Sequence, residues 1–215
     1  MRILFILLFV FINSNIAIAY EVNTHENMNE SISTYSTMFS INEYLVENLN
    51  ITLAIDSMLR GKQIRKWLAY GGKKEDDPYW SLGPLNPNLR FVNHFHNPLE
   101  EDPARAGLWG DGLFGRWLAD SAMLWAQAAV GAQPHGGHYS WHDARNYYLT
   151  ALTAPLKGMR DQGFADTFRA VGQVMHLVQD MGVPEHARDD GHFFKAYEAW
   201  LVDPNTQRPG LFLST

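Results

Sequence analysis

The stretch His176-Leu-Val-Gln-Asp180-Met-Gly-Val-Pro184-Glu-His186 decides how this chain is interpreted. It is predicted to begin on a helix, with His176 and Asp180 one turn apart on the same face. Pro184 is predicted to end that helix because it has no N–H for the helical ladder. His186 then follows at the mouth of the turn. The helix itself is indicated by apolar residues at helical spacing, roughly opposite the His–Asp face: Phe164, Phe168, Val171, Met175 and Val178.

The donor types in this stretch favour a metal site. An imidazole, a carboxylate and a second imidazole converge on one point, and such donors suit a divalent ion such as zinc. The alternative is a surface His–Asp pair four residues apart, which is common and contributes little to stability. A third ligand beyond a helix-ending proline makes that alternative the weaker one.

Composition bounds the class of protein. The 215 residues are 46% hydrophobic and predict one domain with a sizeable core. A net charge of −6 without basic runs argues against a stable nucleic-acid partner held by phosphate contacts. It does not exclude an enzyme that meets phosphates through metal ions, which bring their own positive charge. Because the chain has no cysteine, any metal ligands must be His, Asp, Glu, backbone groups or the N-terminal amine.

The N-terminus resembles an export signal. Residues 1–19 combine a positively charged start, an apolar run over 3–12 and a small-x-small pattern that ends at Ala19. The alternative is an uncleaved anchor, but the apolar run is too short to span a bilayer comfortably. We therefore expect a cleaved signal peptide, a domain spanning 20–215, and a secreted or periplasmic protein.

The rest of the chain predicts an all-α fold, a single multi-helix domain. Apolar spacing, caps and breakers indicate the helices, which are predicted over 25–60 with breaks, over 64–70, over 113–130, from Ser140 to near Gly158, around His176 and over 193–202. Asp143 is expected to complete a capping box with Ser140.

Glycine and proline mark the predicted loops. Gly71 and Gly72 are expected to stop the second helix. Residues 73–110 are rich in Pro, Gly, Asn and acidic residues and predict a long ordered loop. A second histidine group has glycines between its members and is interpreted as a solvent-exposed loop leading into a helix; it comprises His135, His138 and His142.

The spacing His176-x3-Asp180-x5-His186, with a proline two residues before the last His, resembles the zinc-dependent phospholipases C of bacteria. The fungal single-strand-specific nucleases are more distant relatives of the same fold. The resemblance extends from about residue 25 to 200. In the family these residues bind a cluster of three zinc ions. The segment 93–98, Asn-His-Phe-His-Asn-Pro, resembles the family's His-Phe-Tyr-Asp-Pro segment and makes His94 a zinc ligand by resemblance.

Two further segments match the family. Residues 71–76, Gly-Gly-Lys-Lys-Glu-Asp, resemble a Gly-x4-Asp segment whose Asp contacts the metal-bound water, which makes Asp76 the candidate catalytic base, with Glu75 or Asp77 as alternatives if the loop is shifted. Thr24-His25 resembles the early His that binds zinc with the mature N-terminal amine.

The chain departs from the family near its C-terminus. The phospholipases have a His and, four residues later, a Glu, whereas here Glu198 is preceded by His192 at six residues. An unbroken helix would not place the two on one face, so His192 would serve from the loop before the helix.

The resemblance implies a secreted phosphodiester hydrolase that uses metal-activated hydroxide in a cluster of up to three zinc ions. Asp180 would bridge two metals, His94 and His176 would complete one site, and His25 the second. The third zinc would be held by His186, His192 and Glu198.

The substrate implied is a phospholipid or another phosphodiester, with transient contact at a membrane surface. Two alternatives stay open: a single-strand nuclease of the same fold, and a degenerate member that binds zinc without catalysis. The ending at Thr215, soon after Glu198, also fits a C-terminally truncated domain.

Overall fold

Helices account for most of the residues that the structure, a computed structural model, describes: 22–35, 41–76, 90–110, 119–133 and 136–188. The prediction of a mostly helical chain is confirmed. The α-helices are α1 Val22–Tyr35, α2 Ile41–Glu43, α3 Ile64–Glu75, α4 Ala122–Ala126, α5 Trp141–Thr153 and α6 Lys157–Asp180. A π-helical turn spans Tyr44–Asn48, and 3-10 turns span Ala54–Asp56, Arg90–Asn93 and His186–Arg188.

Helix α6 is the central element. It packs against α3 and α5, and α3 in turn packs against α1. The predicted apolar stripe forms part of the core, where Phe168 is buried and Phe164, Val171 and Met175 pack around it. Val178 is the exception, with 68% of its surface exposed. The opposite face of α6 is also buried, because His176 and Asp180 lie against α1, α3 and the segment around His94.

The two glycines expected to stop the second helix do not do so. Helix α3 runs through them to Glu75. Gly71 instead permits a close approach of α3 and α6: a Cβ on Gly71 would lie 2.1 Å from the carbonyl oxygen of Arg169, and a Cβ on Gly172 would lie 2.1 Å from that of Leu68. Gly72 faces α1, where a Cβ would lie 2.5 Å from Asn29 Nδ2. The helix-breaking tendency of glycine, about 1 kcal/mol per residue, is outweighed because only glycine permits these contacts.

Asn29 fastens α1 to the same crossing. Its Nδ2 donates to the carbonyl oxygens of Leu68 and Gly172, both at 3.0 Å. Its Oδ1 accepts a 2.7 Å hydrogen bond from Gln179 Nε2. A single buried amide thus joins α1, α3 and α6 just beside the predicted site residues.

The long helix predicted over 25–60 is divided by left-handed backbone. Asn50 (φ +53°) follows the π-helical turn, and Arg60 (φ +50°) with Gly61 (φ +84°) forms the turn of a small hairpin. Its antiparallel strands are β1 Met58–Leu59 and β2 Lys62–Gln63, so Met58, expected to be helical, lies in a strand.

Helix ends also differ from expectation. The capping box of Ser140 and Asp143 is confirmed, but α5 ends at Thr153, ahead of Pro155, rather than near Gly158. Helix α6 ends at Asp180, four residues before Pro184, so the proline follows the end rather than forming it.

Two predicted loop and helix boundaries were partly wrong. Of the predicted helix 113–130, the described residues are helical only over Ala122–Ala126, and the predicted loop 73–110 begins with the last turn of α3. The predicted helix 193–202 and the signal segment 1–19 lie outside the described residues. Among the described helices, none has the length and apolar character needed to cross a membrane.

Candidate metal centre

Five of the predicted site residues converge in the interior, each at most 2% exposed. They come from four parts of the chain: α1 supplies one, the residue after α3 a second, the segment after the Arg90–Asn93 turn a third, and α6 the last two. These five, called the His/Asp cluster below, are His25, Asp76, His94, His176 and Asp180.

Asp180 lies at the centre of the cluster and uses its two oxygens differently. Oδ1 faces His25 Nε2 at 3.2 Å. Oδ2 faces His94 Nδ1 at 2.9 Å and His176 Nε2 at 3.2 Å. The carboxylate therefore stands between two sets of imidazole nitrogens, which is the arrangement a bridging ligand requires.

The other ring nitrogen of two histidines is engaged, and this fixes which nitrogen faces the cluster. His25 Nδ1 lies 2.8 Å from Gln179 Oε1, and His176 Nδ1 lies 2.7 Å from the carbonyl oxygen of Gly72. Oxygens of these types only accept, so each Nδ1 donates a proton to its oxygen and each Nε2 is the nitrogen that faces the cluster. Hydrogen bonds of this kind hold metal-binding histidines in one orientation.

Asp76 lies close to two of the histidines of the cluster. Its Oδ1 is 3.6 Å from both His94 Nδ1 and His176 Nε2. Neither oxygen of Asp76, and neither oxygen of Asp180, receives a hydrogen bond with good geometry from the described residues. Burying carboxylates in this way is costly unless a cation compensates them.

The charges of the cluster are strongly coupled. Burial raises the pKa of Asp76, and the nearby imidazoles only partly offset it. Burial would also raise the pKa of Asp180, but His176, His186 and His94 outweigh it and hold that pKa well below its usual range.

The two central imidazoles respond in the opposite sense. Burial would lower the pKa values of His94 and His176, yet the carboxylates of Asp180 and Asp76 outweigh it and raise both. Without a metal, protons take the place of a cation between these rings and carboxylates.

His186 lies at the edge of the cluster. Its Nδ1 is 3.7 Å from Asp180 Oδ2 and 3.0 Å from the carbonyl oxygen of His94. A return hydrogen bond from His96 N to the carbonyl oxygen of His186, at 2.9 Å, locks the two segments together. Since Nδ1 donates to a carbonyl, a metal would have to be bound through Nε2, at a position separate from the cluster. The predicted partners of that third position, His192 and Glu198, lie outside the described residues.

The structure also contains a buried polar network that the sequence did not suggest. Glu75, considered only as a stand-in for Asp76, accepts hydrogen bonds from Arg90, Trp125 and Gln173. Arg90 continues to Gln133 and to the carbonyl oxygen of Gly137. We call this set the Glu75 network. In the sequence, Glu75 and Arg90 both fall within the predicted loop 73–110, and nothing in that segment indicates that they form a pair.

The second histidine group does not form a comparable site among the described residues. His138 is exposed, the two glycines before it have positive φ, and His135 lies outside the described residues.

The buried His/Asp groups could hold a metal ion. Two overlapping triads, His25–Asp76–His176 and His94–His176–Asp180, each have ligand atoms within 4.8 Å of one another. Searches against family models, curated proteins and solved structures returned no match to this chain. Function is therefore argued from the site itself.

Proposed function

We propose that this chain is a secreted, zinc-dependent phosphodiester hydrolase of the phospholipase C type. The observation that carries the proposal is the position of Asp180, whose two oxygens face different imidazoles while accepting no hydrogen bond with good geometry from the described part of the chain. A carboxylate so placed could help to hold a cation on each side, and a pair of cations would supply the chemistry of two-metal phosphodiester hydrolysis.

The donor set supports zinc. The cluster offers three imidazoles and two carboxylates with no thiolate, a combination that suits zinc among the common metals, although imidazole and carboxylate sites also take other first-row ions. Bound zinc would supply a water of lowered pKa and would neutralise charge on the phosphoryl oxygens.

The protein residues would divide the remaining work. His25, His94 and His176 would hold the metals, with His25 and His176 fixed by their own hydrogen bonds to Gln179 and to Gly72. Asp76, whose Oδ1 lies 3.6 Å from both His94 Nδ1 and His176 Nε2, would orient the attacking water and accept its proton.

The test is elemental analysis of the purified mature protein, in the wild type and in Asp180→Ala, with Asp166→Ala as a matched control. Asp166 lies on the same helix but contacts Gln162 rather than the cluster. We expect at least two zinc ions per chain, one held by His94 and His176 and one by His25, a sharp fall in Asp180→Ala, and no change in the control.

Hydrolysis is measured on the same proteins with three substrates: a chromogenic phosphodiester, phosphatidylcholine vesicles and single-stranded DNA. Zinc-dependent release from vesicles supports the proposal, and cleavage of DNA alone would assign the nuclease alternative. Zinc binding without turnover of any substrate would indicate a degenerate zinc-binding protein. Absence of zinc would refute the proposed metal site.

A further inference from the structure

Three cationic side chains surround the ring of Tyr70. Lys62 Nζ lies 5.1 Å from the ring centroid, Lys74 Nζ lies 5.5 Å from it and Arg169 Cζ lies 5.3 Å from it. They come from strand β2, from α3 and from α6, so the fold brings them together. Because each is this close to the same point, no two of the charged centres are more than about 11 Å apart.

Arg169 contacts two tyrosine rings and has an unused donor. Its Cζ is 3.9 Å from the centroid of the Tyr139 ring, which is a close cation–π contact. Its Nε is buried and has no hydrogen-bond partner among the described residues. A guanidinium that lies over an aromatic ring still presents its in-plane N–H groups, and with these N–H groups arginine binds phosphate.

Lys62 is exposed and forms no ion pair with a described residue. Arg169 likewise forms none with the described carboxylates. The nearby Lys66 differs, because its Nζ lies 2.7 Å from Glu30 Oε2. Within the described part of the chain, the positive charges of Lys62 and Arg169 therefore have no counter-charge, although the chain as a whole has a net charge of −6.

A cleft of about 320 Å³ lies beside Tyr70, and this volume is at the lower end of the range for small-molecule sites. Lys62 and Lys66 line the cleft together with Tyr70. Glu26 also lines it, but Lys73 Nζ lies 3.4 Å from that carboxylate and offsets its charge. Positive charge and N–H donors thus meet at a space that a small anion can enter.

An anion in this cleft would relieve the repulsion between the cations. The Tyr70 ring is a weak partner for three of them, because cation–π attraction at exposed sites is small. Their separations are comparable with the screening length in physiological salt, about 8 Å, so all three charges act on one bound anion. A phosphate group suits these donors, since it accepts hydrogen bonds from lysine and bidentate pairs from arginine.

We propose that the cleft beside Tyr70 binds a ligand that carries a phosphate group, through Lys62 and Arg169. The site is separate from the His/Asp cluster. Tyr70 lies six residues before Asp76 and Arg169 lies seven before His176, which is about 9 and 10 Å along the two helix axes. Because the site uses no metal ligand, it does not rest on the proposed function.

The test is isothermal titration calorimetry with inorganic phosphate as the probe, on the protein as purified and on the same protein after chelation of metal. We expect equal binding in both, because the proposed site contains no metal. Lys62→Gln and Arg169→Gln should each weaken binding by about 10-fold or more, as expected for the loss of a hydrogen bond to a charged group.

Lys157→Gln is the matched control. It removes one positive charge from an exposed lysine that pairs with Asp161 near the start of α6, and it should leave phosphate affinity unchanged. An equal loss in this control would show that net charge, and not the cleft, attracts phosphate. Binding that disappears with the metal would place the phosphate at the His/Asp cluster. Either result would overturn the proposal, and so would absence of binding.

The exposed position of Lys62 keeps the test decisive if Arg169→Gln does not fold. In that case Lys62→Gln is compared with Lys157→Gln alone, since both replace an exposed lysine by the same residue. Unchanged phosphate affinity in Lys62→Gln would overturn the proposal.

A second experiment identifies the source of the phosphate group. The protein is sedimented with vesicles of phosphatidylcholine alone and with vesicles that also contain phosphatidic acid, whose headgroup is a phosphomonoester. Retention only on phosphatidic acid vesicles, lost in Lys62→Gln, would assign a lipid headgroup. Binding of inorganic phosphate without retention on vesicles would assign a soluble phosphate compound. Retention that Lys62→Gln leaves unchanged would contradict the assignment of the ligand to this cleft.

Discussion

Glu75 and Asp76 are neighbours in sequence, both are buried, and their surroundings are opposite. Glu75 accepts four hydrogen bonds, and although burial would raise its pKa, Arg90 together with His94 and His176 outweighs that effect and lowers it. Asp76 accepts none with good geometry within the described part of the chain, and burial raises its pKa. The first carboxylate has its counter-charge built into the protein, whereas the second lies where an added cation would supply one.

The contrast extends to the regions around the two residues. In the Glu75 network both oxygens of the carboxylate are hydrogen-bonded and Arg90 supplies the counter-charge, so it stabilises the fold without a ligand. In the His/Asp cluster the imidazole nitrogens and the carboxylate oxygens face one another, which is an arrangement that a metal could occupy. Both regions are buried and contain ionisable side chains. They differ in the partners of those side chains, and this difference distinguishes the structural network from the candidate metal site.

The largest expected effect comes from breaking the matched region. Glu75→Gln leaves Arg90, 1% exposed, without its counter-charge, and should lower the free energy of unfolding of metal-free protein by about 3–5 kcal/mol. Urea denaturation measures this, with Gln173→Met expected to cost only about 1 kcal/mol. Equal losses would mean that the charge pair is not what stabilises this region.

A second prediction concerns the pH dependence of the stability that the His/Asp cluster contributes. The raised pKa values of His94 and His176 mean that, above their ordinary value of 6.5, the folded metal-free protein binds protons that the unfolded chain has released. Their contribution to stability is present below pH 6.5 and is lost as pH rises through the raised values. The free energy of unfolding should therefore fall with pH over that window, by at most about 1.4 kcal/mol per pH unit for each histidine.

Zinc should cancel this slope. Metal binding requires the same two rings in their neutral form, so the stability added by a fixed zinc concentration should rise with pH over the same window and offset the fall seen in metal-free protein. Thermal unfolding with and without zinc measures both slopes, and parallel curves would contradict the assignment of these rings as ligands.

A smaller effect of opposite sign is expected at Asp76. Since its pKa is raised in the folded state, the ionised carboxylate is unfavourable there, and Asp76→Asn should raise the free energy of unfolding of metal-free protein at neutral pH. The same change should weaken zinc binding and abolish hydrolysis. Asp166→Asn is the control, expected to alter neither; a destabilised Asp76→Asn would show that the carboxylate is matched after all.

The smallest effect is expected outside both regions. His138 is exposed, and its carbonyl oxygen accepts a hydrogen bond from the Tyr147 hydroxyl. His138→Ala should change the free energy of unfolding by less than about 0.5 kcal/mol and leave zinc content as in the wild type. A loss of zinc in this variant would show that the second histidine group binds metal.

Local signals carried much of what could be predicted. The helix that bears His176 and Asp180 follows from apolar spacing, and the Ser140–Asp143 capping box follows from residues three apart. The positions of His25, His94 and Asp76 came only from the family resemblance, because nothing local indicates that residues so far apart in the chain will meet.

Other features escaped prediction for a physical reason. Gly71 and Gly72 were taken as helix breakers because their backbone preference is local, whereas the close approach of Gly71 to α6 depends on a partner about a hundred residues away, and that of Gly72 depends on α1. The Glu75 network joins residues separated by 15, 50 and 98 positions, and no short-range pattern identifies such pairs.

The Gly71–Gly172 contact also has a mechanical consequence. Where the backbones of two helices are in contact, a tilt of one helix against the other pivots about the contact. His176 lies four residues beyond it, about 6 Å along the α6 axis, whereas Lys157 lies about 22 Å away on the other side. A tilt of about 10° would shift the far end by roughly 4 Å and the histidine by only about 1 Å. The candidate site therefore lies close to the helix contact, so a tilt between the helices would displace their outer ends more than it would displace the ligand residues.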